Sequence, residues 1–166
     1  MSPDATVDAL FEMAIAIERS AETLYRGLQA KFAHIPEVAA FWEMYANEET
    51  GHASYLESIR AELSAEQRAH PADPQVLQDA RKMMAFSVEH GLNRIGTLED
   101  AYQIAYEIET SETNTIFEFL ITNYTLAQKS RAFLQRQLHQ HIDKITAEFP
   151  TPYRDAERRR AVTAEG

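Results

Sequence analysis

Apolar residues recur at three- and four-residue steps along nearly the whole chain, the spacing that lines one face of an α-helix. Leu10, Phe11, Ala14, Ile17, Ala21, Tyr25 and Leu28 mark a first helix from about Thr6 to Lys31. A second begins near Pro36, a residue suited to a first helical turn, and turns Val38, Phe41, Trp42, Tyr45, Leu56 and Ile59 inward. The prolines of AHPADPQ, residues 69–75, break that helix, and a shorter one over about Val76 to His90 ends at Gly91. Thr97 followed by Asp100 resembles a capping box and opens a third helix toward Leu120. A fourth runs from about Leu126 to Phe149 and stops at Pro150.

No alternating strand pattern competes with this reading. Two helix pairs with short internal connections, joined by a long middle segment, predict an all-α bundle of two antiparallel hairpins with one crossover carrying a short helix. An up-and-down bundle would not need so long a joint between the second and third helices. The expected domain is single, spanning residues 1–166, with the bundle over 6–149 and a charged tail over 151–166 that has no apolar face. At 166 residues and 45% hydrophobic content, one core of ordinary size suffices.

Composition narrows the chemistry. With no cysteine, the chain has no disulfide, zinc ribbon, iron–sulfur cluster or thiol nucleophile, so oxygen and nitrogen groups must do any work. Twenty-six acidic against sixteen basic residues give a formal charge of −10, which argues against nucleic acid as a partner and suits attraction of cations. No run approaches the ~20 apolar residues that span a bilayer. The leading MSPDATVDALFEMAI lacks the positive charge of a secretory signal, so a cytoplasmic location is expected.

The informative residues are acids on the apolar stripes, because a buried, unpaired carboxylate is costly unless something neutralises it. Glu18 falls between Ala14 and Ala21 on the inward face of the first helix. Glu49 and His52, three apart, share the stripe of Tyr45 and Leu56. Glu109 and Glu112, also three apart, stand between Ala105 and Ile116 where a bundle expects leucine. Any one of these acids alone is more simply a stripe-edge residue that reaches water. Jointly they are not, because a tight turn near residue 33 sets Glu18 opposite position 48 or 49. Four inward acids and a histidine form a donor set for a divalent metal pair.

At this point the sequence resembles the rubrerythrin group of the ferritin-like superfamily. Glu18-Arg-Ser-Ala21 through Tyr25 is similar to that family's Glu-x-x-Ala-x-x-x-Tyr, and N-E-E-T-G-H-A after Trp42 is similar to its Glu-x-x-His-Ala. E-T-S-E from Glu109 to Glu112, with Phe117 beyond, resembles its two-glutamate third helix, and AIERSAETLY is loosely echoed by EIETSETNTIF. The resemblance covers residues 7 to 149 and implies a ferritin-like four-helix bundle with a di-iron site, manganese or zinc being other occupants. It implies Glu49 and Glu112 as bridging ligands, with Glu18, His52, Glu109 and His141 terminal or switching. Tyr25 reads as core first and is also able to hydrogen-bond a metal-bound carboxylate.

Helix four departs from the family, which places a second Glu-x-x-His there. On the stripe of Leu134, Leu138, Ile142, Ile145 and Phe149, His141 lies nearest the middle and Gln137 next, whereas Gln140 and Asp143 fit a register counted from Phe133. His139 reads as a surface residue. The implied activity is peroxide reduction or ferrous iron oxidation, with oxygen or peroxide as oxidant and electrons from a separate donor. A homodimer or higher homo-oligomer is expected. The alternatives are an iron-storage protein and a bundle with a degenerate site.

Overall fold

The computed structural model describes residues 3–85, 92–125 and 128–147, with the side chains of Pro3, 112–113, 128–130, 137–138, 141–142 and 146 outside that description. After a 3-10 turn at Pro3–Ala5 come helices α1 (Val7–Lys31), α2 (Pro36–Glu62), α3 (Ala65–Ala69) and α4 (Pro74–Met84). Helices α5 (Leu98–Glu109), α6 (Glu112–Tyr124) and α7 (Gln128–Ala147) follow. The fold is all-α, as the periodicity predicts. Among the described residues the only β-type pairing is an isolated bridge between Thr6 and Pro71, and no helix is long and apolar enough to cross a membrane.

Helix α1 starts where the Thr6 hydroxyl accepts the Ala9 N–H at 3.2 Å and ends with Lys31 in its last turn. Pro36 opens α2 at its first helical positions. The two helices are antiparallel, since Asp8 pairs with Arg60, Arg19 with Glu57, and Arg26 with Asn47 as one ascends and the other descends. The second hairpin is antiparallel in the same way, with Glu118 facing His139 and Thr122 facing Gln135. Lys144 then joins α7 to Glu48 of α2 at 3.0 Å.

The crossover differs from expectation in detail. Helix α4 begins at Pro74, two residues early, because Asp73 caps it through the N–H groups of Gln75 and Val76. It ends at Met84 with Ala85 as its C-cap, short of the predicted end at His90, and the predicted cap at Gly91 lies outside the described residues. Helix α3 was not predicted; Ser64 and Gln67 close a full capping box over it. Backbone bonds from Val7 N to His70 O and from Ala72 N to Ala5 O, both 2.9 Å, clasp the start of the chain to this crossover.

The third rod of the bundle is not the continuous helix that the sequence predicts. It divides at Thr110 and Ser111 into α5 and α6. The Thr110 hydroxyl donates to Tyr106 O at 2.7 Å and the Ser111 hydroxyl to Ile108 O, a local competition with helical bonding that these residue types favour. The capping box at Thr97 and Asp100 is formed as read. Helix α7 begins at Gln128; Leu126, Ala127 and residues 148–150 lie outside the described residues.

The core has two apolar halves. In one, Leu10, Phe11 and Ile17 of α1 meet Leu56 and Ile59 of α2 and Ile116, Phe117 and Leu120 of α6. In the other, Leu24, Tyr25 and Leu28 meet Trp42, Tyr45, Ala101, Ala105 and Ile145. The aromatic rings interlock there: Tyr25 stacks on Trp42 at 5.9 Å and tilts against Tyr45 at 5.4 Å. On α1 the halves part between Ile17 and Ala21, on α2 between Ala46 and Leu56, and on the third rod between Ile108 and Ile116. The buried acids lie at those gaps.

Candidate metal centre

Within the layer between the two apolar halves, Glu18 is 2% exposed, Glu49 3%, His52 4% and Glu109 1%. Glutamates are almost never so buried unless paired or coordinating a cation. Their positions follow from period alone: Glu18 lies one turn beyond Ala14 on α1, and Glu49 and His52 share the inward face of α2. Helix α1 runs up as α2 runs down, so the two sets meet at one height.

One ligand-type atom from each of Glu18, Glu49 and His52 lies within 4.8 Å of the others. His52 Nδ1 is 3.3 Å from Glu49 Oε2 and 3.6 Å from Glu18 Oε2. Its ring packs against Phe117 of α6, centroids 4.5 Å apart, which fixes the plane in which its nitrogens point. Glu109 stands alongside. The Tyr25 hydroxyl donates to Glu109 Oε1. Asn114 Nδ2 donates to the Glu109 carbonyl at 2.6 Å and lies 3.5 Å from Glu109 Oε2. Burial, then the charge of Glu109 and next that of Glu49, push the Tyr25 hydroxyl well above its usual pKa, so both carboxylates act on one phenol.

Burial first and the neighbouring Glu18 second raise the Glu49 carboxyl to about 8. For His52 burial opposes the charge, but hydrogen bonds to Glu18 and Glu49 prevail and lift the imidazole to about 10. Protons at Glu49 and His52 thus offset the cost of burying acids together. A divalent cation would do the same through two carboxylate oxygens and an imidazole nitrogen, a donor set that suits iron, manganese or zinc. The residues present fit such an ion.

Of the six residues singled out as ligands, the structure gathers Glu18, Glu49 and His52 and buries Glu109, which is linked to Glu49 through the Tyr25 phenol. Glu112 opens α6 and His141 lies within α7, but their side chains fall outside the described residues, as does that of Gln137. Gln140 and Asp143, the other residues weighed on helix four, are exposed. His139 is on the surface, 3.4 Å from Glu118. Asn114 was not found by sequence reasoning. The break at Thr110 and Ser111 shifts the helical register, and it is that shift which carries Asn114 back over Glu109.

A bundle of this topology with buried carboxylates and a histidine between its helices defines the class of ferritin-like carboxylate metalloproteins. The Rubrerythrin family model matches residues 9–135. The chain belongs to the rubrerythrin family, whose members bind di-iron centres, and its Glu18, Glu49 and His52 are a group that could hold a metal ion. The matched range contains Glu18, Glu49, His52, Glu109 and Glu112 and ends short of His141. No curated protein and no solved structure gives a significant match to the chain.

Proposed function

We propose that this protein is a non-haem di-iron oxidoreductase that reduces peroxide or oxidises ferrous iron. The observation that carries the reading is the buried layer of Glu18, Glu49, His52 and Glu109 between two apolar half-cores. On this reading Glu18, Glu49, His52, Glu109, Glu112 and His141 would hold the ions, with Glu49 and Glu112 as the ligands that the two would share. When bound, a ferrous pair supplies two electrons, which with two protons convert hydrogen peroxide to two waters. Tyr25 holds the Glu109 carboxylate in place through its hydroxyl, and Phe117 holds the imidazole of His52. The apolar halves above and below keep bulk water away. With no cysteine in the chain, electrons for the next turnover come from a separate donor. A single domain, a cytoplasmic location and a homodimeric or larger assembly belong to the same reading.

The test combines metal analysis with stopped-flow oxidation. Two irons per chain and fast oxidation by hydrogen peroxide are expected. Slow oxidation with accumulation of mineral would favour iron storage instead. Glu49→Ala is expected to lower metal occupancy, and full occupancy in that variant would refute the ligand assignment.

A further inference from the structure

His52 is buried, yet its side chain also forms part of the wall of a groove of about 540 Å³ between α2 and α7. Glu43, Asn47, Glu48 and Tyr55 line the same groove from α2, and Leu134 closes it from α7. The residue beside His52 in this wall is Gly51, in the middle of α2. Glycine there costs a helix about 1 kcal/mol relative to alanine. Two common reasons for such a glycine fail. No described glycine has a positive φ, and among the described residues a Cβ added at Gly51 meets no atom within 4 Å. Gly27 on α1 is the contrast, because a Cβ there would come within 2.7 Å of Leu92. Gly51 and His52 line the same groove, so a side chain at position 51 would enter it.

Resting on the reading of Glu18, Glu49 and His52 as metal ligands, we infer that this groove is the route by which a divalent cation reaches them, and that Gly51 keeps it open. The wall is mixed, with Ala40, Met44 and Leu134 beside Glu43, Asn47 and Glu48, whose oxygens suit a partly hydrated ion. Glu43 and Glu48 bring negative charge to it, and Lys144, 3.0 Å from Glu48, limits how strongly a cation is held on the way. A second cleft, of about 180 Å³, approaches from the other side at the break between α5 and α6. It reaches Glu109, whereas the groove at Gly51 reaches His52, one of the three clustered ligands, and is the larger, so the groove at Gly51 is the better route.

A route differs from a ligand in its kinetic signature: obstructing it slows binding and release alike and leaves the equilibrium affinity unchanged. Cobalt(II) is the probe, followed by its visible absorption as it enters the site in stopped flow and as it leaves to a chelator. Gly51→Leu is expected to slow both steps about tenfold or more, as a side chain that must swing aside raises the barrier. Gly51→Ala is expected to do so only slightly, and both variants should melt no lower than the parent because the added atoms enter open space. Thr115→Leu, in the smaller cleft, is expected to leave both rates as they are. Unchanged rates in Gly51→Leu, slowing in Thr115→Leu instead, or a changed oligomeric state in Gly51→Leu would each overturn the route. Failure of Glu49→Ala to weaken cobalt binding would overturn the ligand reading beneath it, so the two failures are distinguishable.

Discussion

Raising the pH from 6 to 8 should tighten metal binding far more steeply than ordinary side chains allow. A divalent ion can use Glu49 and His52 only after their protons have gone. Burial and the proximity of Glu18 hold the Glu49 proton up to about pH 8, and the bonds to Glu18 and Glu49, overcoming burial, hold that of His52 to about pH 10. Below 8, each metal bound therefore displaces about two protons, and the apparent affinity should rise about a hundredfold per pH unit. A glutamate at 4.5 and a histidine at 6.5, their ordinary values, would leave affinity almost flat above pH 7. Zinc affinity measured by competition with a chromophoric chelator reads the slope. Calorimetry in buffers of different ionisation enthalpy counts the protons. A rise of less than about tenfold between pH 7 and 8 would show that the two protons are not held as described. The same shifts fix the sign for the metal-free protein. Both folded values lie above the unfolded ones, so the stabilisation is fully present below the unfolded pKa values and is lost as pH rises through the folded ones. Glu49 alone accounts for on the order of 5 kcal/mol between pH 4.5 and 8. The melting temperature of metal-free protein should fall over that window, and bound metal should reverse the trend.

Two substitutions probe the surroundings. Tyr25→Phe removes the donor to the buried Glu109 carboxylate and should destabilise the metal-free protein by about 1–3 kcal/mol; a melting temperature within 1 °C of the parent's, on the order of experimental error, would refute the role of that bond. Gly27→Ala sets its Cβ 2.7 and 2.8 Å from the two Leu92 methyls, the far end of a half-buried side chain that can turn aside, so a helix-propensity gain of about 1 kcal/mol should prevail. Its melting temperature should rise slightly, and a drop would show that Leu92 is held in place.

Much of the site was legible because helical period makes a misplaced charge conspicuous. Glu18, Glu49, His52 and Glu109 were each found on an inward stripe, and each is buried. The start of α1 at Thr6 and the capping box at Thr97 were also readable, since a hydroxyl or carboxylate at a fixed offset leaves a local signature. Helix α3 carries such a signature in Ser64 and Gln67, but its five residues are too few to form an apolar stripe. The break at Thr110 and Ser111 had no comparable signal. Apolar spacing continues across it, neither glycine nor proline marks it, and it depends on hydroxyl bonds to carbonyls one turn back. Helix four could not be resolved from sequence because its stripe offers several polar residues and no inward glutamate among residues 134–147.

The clasp between the start of the chain and the crossover bears on how the molecule assembles. Backbone bonds joining Ala5 and Val7 to Ala72 and His70 close a loop that contains the whole α1–α2 hairpin and nothing of the second. Closing a loop costs entropy that grows only slowly with its length, and here the hairpin's own packing has already brought the ends near. The first half of the chain can therefore close on itself before residues beyond 98 are in place, presenting a ready-made template with Glu18, Glu49 and His52 preassembled. Protection from amide exchange at Val7 and Ala72 should then develop together during refolding, and ahead of that in α5 and α6.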